Sequence, residues 1–305
     1  MNQSNYKIVA KLINDLNYSQ LRKINDKISK LHENRIVANS LEKSRSALCC
    51  SHCKSKEFVR WGRQSDLQRY KCKDCKKTFN SLSGTPLAKL RRKGHWLQYA
   101  KCLVEGKTIR KSAAICGVAK TTSFRWRHRF LIGTNNLMLD KIKGIIEIDD
   151  LKKNKSYKGS RNIPINSQMS REEIFLLFVR DRYGNTLNFI VDKITKESLA
   201  KKLNARFEKD NLLCTLNKDI YFEYTKDSNI RHGYINHQKG EKVKKDIVHI
   251  NNVVNYHEKL FKWMKRFRGV ATKYLENYLS WYRGLDEYDL NPSPIVVLRR
   301  SVNFY

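Results

Sequence analysis

Cys50-Ser51-His52-Cys53 and Cys72-Lys73-Asp74-Cys75 stand eighteen residues apart, with the basic, aromatic run Gln68-Arg69-Tyr70-Lys71 between them. A two-residue gap lets both thiols of a doublet point at one ion, and two such knuckles close a tetrahedron of thiolates around one Zn²⁺. The pair predicts a zinc ribbon over residues 47–85, with Cys50, Cys53, Cys72 and Cys75 holding one structural zinc per chain. A reducing compartment keeps such thiols from pairing as disulfides. The other four cysteines, Cys49, Cys102, Cys116 and Cys214, read as packing thiols.

Outward from the ribbon, charge names the class of partner. The 305 residues carry 62 Lys and Arg against 29 Asp and Glu, a net charge of +33. So large an excess repels itself unless a polyanion shares the surface, and nucleic acid is the expected partner. A membrane is not. The N-terminus has no apolar core of a signal peptide, and the longest apolar run, Ile174 to Val179, is far too short to cross a bilayer. The expectation is a cytoplasmic protein of several domains.

On the N-terminal side, Ile8, Leu12, Leu16, Leu21, Ile24, Ile28 and Leu31 recur near helical spacing. They predict two short helices in a segment spanning 1–46, whose apolar stripe calls for packing or self-association. On the other side, the turn-rich Ser81-Leu82-Ser83-Gly84-Thr85-Pro86 ends the ribbon. Residues 86–135 follow as a DNA-facing module: from Pro86 to Phe130 there are twelve Lys or Arg and one acid, Glu105. Within it, Thr108 to Val118 reads as a helix closed by Gly117. A second helix follows through Thr121-Thr122-Ser123-Phe124-Arg125-Trp126-Arg127-His128-Arg129. Small Ala113 and Ala114 permit a close crossing, the pattern of a helix-turn-helix. Arg110, Lys111, Lys120, Thr121, Thr122, Arg125, Arg127 and Arg129 are the candidate DNA contacts, whereas Phe124, Trp126 and Phe130 are expected in the core.

After residue 140 the hydrophobic period changes to that of strands. Gly144 to Asp150 predicts a strand ending in carboxylates, and Ile174–Val179 and Leu187–Val191 predict a hairpin turned at Tyr183-Gly184-Asn185. Lys152 to Arg171 reads as a polar, basic loop. Thr195 to Lys209 reads as a helix, 211–216 as a strand, the stretch to about Asp246 as a basic linker, and Asn251 to Phe267 as a long helix. The order implies an α/β domain with a mixed sheet over 141–290, and 291–305 as a tail. Taken alone, Asp149 and Asp150 are ordinary acids at a strand end. His249 and His257 read as solvated or packing histidines.

Residues 69–93 (RYKCKDCKKTFNSLSGTPLAKLRRK), 124–130 (FRWRHRF), 144–150 (GIIEIDD), 156–161 (SYKGSR) and 249–279 (HINNVVNYHEKLFKWMKRFRGVATKYLENYL) together resemble bacterial insertion-sequence transposases of the family numbered fifteen-ninety-five. The resemblance implies a zinc ribbon, a helix-turn-helix and a ribonuclease-H-like catalytic domain. It also implies cleavage and strand transfer at terminal inverted repeats of double-stranded DNA, within a homodimer or higher assembly. Acids would hold catalytic Mg²⁺ or Mn²⁺, since paired metals activate the attacking oxygen and neutralise the leaving one. By the same resemblance Asp149 matches the first catalytic Asp, and Asn255 with Lys262 matches a neutral third ligand and a basic residue two helical turns on. The second Asp of the family falls on Leu216, which offers no ligand; Asp219, three residues further, is the candidate substitute. Relatives continue the first motif as Asp-Glu-Thr, where this chain has Asp149-Asp150-Leu151. Both departures imply impaired catalysis. The alternative is a non-catalytic DNA-binding protein derived from a transposase.

Overall fold

The computed structural model describes residues 3–43, 49–64, 66–135, 141–159, 172–207, 210–236, 239–244 and 247–302. It divides into two compact units, Met1–Leu103 with Ser293–Phe304, and Val104–Pro292.

The first unit begins with α1 (Gln3–Asn14) and α2 (Tyr18–Lys43). The second of these is a 26-residue helix rather than the short one expected. Its C-terminal end is the part that packs: Val37, Ala38, Ser40 and Leu41 are buried. Helix α10 (Pro294–Val302) lies against it, with Arg299 Nε donating to Ser40 Oγ at 3.1 Å. The stretch expected as a tail thus contains a helix. Its buried Val297, Leu298, Ser301 and Val302 are spaced as one helical face. Ile8, Leu12, Leu21, Ile28 and Leu31 remain exposed. Strands β1 (Phe58–Gln64), β2 (Leu67–Cys72) and β3 (Thr78–Asn80) form an antiparallel sheet in that order, and α3 (Trp96–Val104) buries Trp96, Tyr99, Cys102 and Leu103.

The second unit opens with α4 (Ile109–Ile115) and α5 (Lys120–Asn135), joined through Gly117 at φ +59°. Then comes a five-stranded sheet: β4 (Ile145–Asn154), β5 (Glu173–Asp181), β6 (Thr186–Val191), β7 (Leu212–Leu216) and β8 (Arg231–Ile235), in spatial order β6-β5-β4-β7-β8. The first three strands run antiparallel to one another, whereas β7 pairs parallel to both β4 and β8. This is the mixed sheet expected. Antiparallel pairs need only a tight turn, here Asp181 to Asn185 with Gly184 at φ +90° and both Tyr183 N–H and Asn185 N–H donated to Asp181 Oδ1. Parallel pairs need crossovers, supplied by α6 (Lys196–Leu203) before β7 and α7 (Asp219–Asp227) before β8. Both α7 and β8 lie in the stretch expected as a linker. Strand β4 likewise runs on to Asn154, into the expected loop, and 160–171 of that loop lie outside the described residues.

Ile146 and Ile148 of β4 are wholly buried, each worth about 1.5–3 kcal/mol of transfer free energy. With Leu177, Val179, Leu199, Leu213, Tyr221 and Tyr224 they form one face of the core. Helix α8 (Asn251–Met264) packs against β4 and β5 through Val253, Tyr256, His257 and Leu260. Helix α9 (Thr272–Asp286) packs along α5 and against β6.

Candidate functional site

The sheet β1–β3 sets the two cysteine knuckles side by side. Each knuckle closes on a Lys in the left-handed region directly after its second cysteine, Lys54 at φ +64° and Lys76 at φ +58°. Backbone bonds fix the first cysteines: Cys50 N–H donates to Ser55 O at 2.8 Å and Cys72 N–H to Lys77 O at 3.0 Å. The result is four sulfurs within 4.8 Å of one another, with Cys50–Cys75 at 3.5 Å and Cys53–Cys72 at 3.6 Å. Tetrahedral zinc with about 2.3 Å bonds holds its sulfurs about 3.8 Å apart, so the quartet fits that ion. Burial resists ionisation of Cys50, but the backbone N–H groups of Cys53 and His52 overcome it and bring the thiol down to about 6. Four sulfurs leave no open position for water, the pattern of a structural site. Phe58, Tyr70 and Phe79 pack around the knuckles with ring centroids 5.2–5.6 Å apart.

The acids of β4 are arranged otherwise. Glu147 is wholly buried and fully engaged. Its Oε1 takes a 2.7 Å ion pair from Arg182 and a 2.8 Å bond from Asn252 Nδ2, and its Oε2 accepts the Val253 N–H at 2.8 Å. It therefore pins the first turn of α8 to the sheet, where a helix N-terminus favours negative charge. Asp149, two residues on and on the same face, meets His257 Nε2 at 2.9 Å. Asp150 points the other way, into Lys218 Nζ at 2.7 Å and Tyr221 OH at 2.5 Å. Burial, then the Asp150 charge, hold the Tyr221 phenol well above its usual range.

Asn255 and Lys262 share a face of α8, as their spacing implies, and that face is exposed. Asp219 is exposed at the first position of α7. Leu216 closes β7; the β4–β7 pairing ends at Glu147 with Cys214, and Asp149 and Leu216 each stand two residues beyond that last pair. Among the described residues the cysteine quartet is the one group of three or more His, Cys, Asp or Glu donors close enough to hold an ion. The predicted set brings two acids, Asp149 and Asp219, with Asn255 and an apolar Leu216, a donor set that does not fit a pair of hard divalent cations. Helical periodicity carried the signal for His257: with Val253, Tyr256 and Leu260 it completes the inward stripe of α8.

In the helix-turn-helix, Thr108 caps α4 by accepting Lys111 N–H, Ala113 is buried at the crossing, and Ser123 Oγ donates to Ile109 O at 3.0 Å. The inward face of α5 is Ser123, Trp126, Arg127, Phe130 and Leu131. Arg127 thus departs from its expected place among the DNA contacts. Its guanidinium is wholly buried, donates to Lys107 O at 2.6 Å and lies over the Trp281 ring at 4.6 Å. Arg110, Lys111, Lys120, Thr121 and Arg125 are exposed, and Thr122 and Arg129 half-buried. Phe124 is 40% exposed rather than core. Its edge meets His128 at 4.6 Å and Tyr274 of α9 at 5.6 Å.

No family model matches the chain. It is 27% identical over 255 residues to an uncharacterized protein in transposable element ISH50 of Halobacterium salinarum, covering 78% of this chain and 85% of that one. The chain is similar to a transposable-element protein. The crystal structure of a pre-cleavage Mos1 transpososome superposes on 68% of this chain and 79% of its own at 10% identity, with a TM-score of 0.22, too loose to bear on the fold. No described helix is long and apolar enough to cross a membrane.

Proposed function

We propose that this protein is an insertion-sequence transposase in descent and a DNA-end-binding protein in action, its metal-dependent cleavage lapsed. The alignment with the ISH50 protein along most of both chains carries the first half. The strand order β6-β5-β4-β7-β8, with Asp149 on the central strand and α8 against it, supports a ribonuclease-H-like sheet. Leu216 at the end of β7 where the family has an acid, with Asp149 engaged by His257, supports the loss.

In this reading α5 lies in the major groove. Lys120, Thr121, Thr122 and Arg125 face base edges and phosphates, Arg110 and Lys111 of α4 hold the flanking backbone, and two copies of the chain take the two terminal repeats. Zinc in the cysteine quartet fixes the ribbon, whose Lys71 stands over the Trp61 ring at 4.3 Å on an exposed strand, as a further backbone contact.

The test is binding and Mg²⁺- or Mn²⁺-dependent nicking of duplex DNA carrying the element's own ends, for the parent and Leu216→Asp. The parent is expected to bind, with affinity falling steeply with salt, and not to nick. A nicking parent that Asp219→Asn silences would restore an active transposase with Asp219 as second acid. A salt-independent affinity would remove the phosphate-dominated interface.

A further inference from the structure

Between the helix-turn-helix and the start of α9 the second unit holds a cleft of about 850 Å³, within the about 300–1,000 Å³ typical of ligand sites. Its wall combines two chemistries. Arg110 and Lys111 of α4, Lys158 after β4 and Arg268 after α8 bring cations, and no Asp or Glu is among the described lining residues. Phe124 and Tyr274 bring rings, bridged by His128, which stacks on Tyr274 at 3.9 Å and 24°. Burial, then the charges of Arg127 and Lys273, hold the His128 imidazole down to about 4, so the bridge is a neutral aromatic surface.

The cationic wall is built into the fold. Lys158 Nζ bonds the carbonyls of Arg268 and Gly269, the latter at 3.3 Å, and Thr272 N–H donates to Ser156 O at 2.9 Å, so the segment before α9 is tied to the end of β4. Arg268 sits at φ +52° with an exposed side chain. Among the described residues no carboxylate pairs with Arg110, Lys111 or Arg268.

We propose that this cleft takes unpaired nucleotides of DNA at the margin of the duplex held by α5, with a base against the exposed Phe124 ring, which the stacked His128 and Tyr274 back, and its phosphates on Arg110, Lys111 and Arg268. The proposal rests on α5 being the duplex-contacting helix. Bases inside a duplex are already stacked and leave no face for a ring, so exposed aromatic groups beside cations select bases freed from the stack. The spacing on α5 joins the two surfaces: Thr121, Phe124, Arg125 and His128 follow at i, i+3, i+4 and i+7, one continuous stripe from groove contact to cleft.

The experiment uses the full chain and fluorescence anisotropy on two oligonucleotides of one sequence, a blunt duplex and a duplex with a three-nucleotide single-stranded tail carrying 2-aminopurine. The tailed DNA is expected to bind about tenfold tighter, the worth of one stacked base, and its fluorophore to be quenched. Phe124→Ala and Arg268→Gln should each remove that preference and leave blunt-duplex affinity unchanged. Arg268→Gln, at an exposed side chain, decides the matter should Phe124→Ala misfold. Equal affinity for the two DNAs, or an unquenched fluorophore, overturns the cleft while leaving duplex binding standing. Displacement of the tail by dTMP at equal concentration overturns it in favour of a free-nucleotide site. Binding to neither DNA overturns both the cleft and the function proposed above.

Discussion

The cysteine quartet and the acids of β4 are both clusters of metal-binding residue types, and they end in opposite arrangements. In the ribbon, two short knuckles with matching left-handed lysines bring four sulfurs within 4.8 Å. On β4, Glu147, Asp149 and Asp150 are each claimed by a different neighbour: the first turn of α8, His257, and Lys218 with Tyr221. The difference teaches that a doublet makes its geometry locally, whereas carboxylates on separate strands and helices converge only if every partner position cooperates. In the function proposed above, Leu216 is the position that does not.

The largest effect should come from the ribbon. Purified protein should carry about one zinc per chain, and chelation or Cys72→Ser should unfold β1–β3, because structural zinc supplies about 10–16 kcal/mol in isolated fingers. Amide exchange reads this strand by strand; a ribbon still protected after zinc removal would erase the contrast with β4. Next is Glu147→Ala, which strands the Arg182 guanidinium against the sheet. Urea unfolding should show a loss of about 3–5 kcal/mol. A loss under about 1 kcal/mol would mean that the apolar face of α8 alone holds it to the sheet. Arg127→Ala should cost about 2–4 kcal/mol through the vacated volume and the lost contact with Trp281, without a matching loss of DNA affinity per folded molecule. If affinity falls while stability holds, Arg127 belongs with the DNA contacts after all.

The smallest effect is one of pH. Burial keeps His128 neutral in the fold, with its pKa at about 4 against an ordinary 6.5. The unfolded chain therefore takes up the proton first on acidification, so the contribution is complete above pH 6.5 and is lost as pH falls through about 4. Stability curves of the parent and His128→Gln should converge over that window.

Much of this was legible from the chain. The cysteine doublets, the helix–Gly117–helix unit and the hairpin at Gly184 rest on local spacing, and the structure places them where the sequence does. What escaped depends on partners distant in sequence. The short strand Arg231–Ile235 has little apolar content and gains its place by pairing with β7 and by packing His232 and Tyr234 on Phe222 of α7. Helix α7 hid among charges although Tyr221, Tyr224 and Thr225 mark its buried face at i, i+3 and i+4. Arg127 looked like its neighbours Arg125 and Arg129, yet it lies four residues after Ser123 and three before Phe130, on the stripe that a helix must bury. Of the site, Asp149 is legible only through a resemblance; its partner His257 reads as a packing residue because composition does not say which way a histidine faces.

Helix α5 is bound to α9 by the Phe124, His128 and Tyr274 rings and by the Arg127 guanidinium over Trp281. A helix held this way is not an exchangeable cartridge. Grafting the helix-turn-helix of another protein onto this sheet, or this one elsewhere, would carry over the outward-facing residues and leave behind the surface that orients them. If α5 reads DNA as proposed, changes of preference in this scaffold proceed residue by residue along its outer stripe.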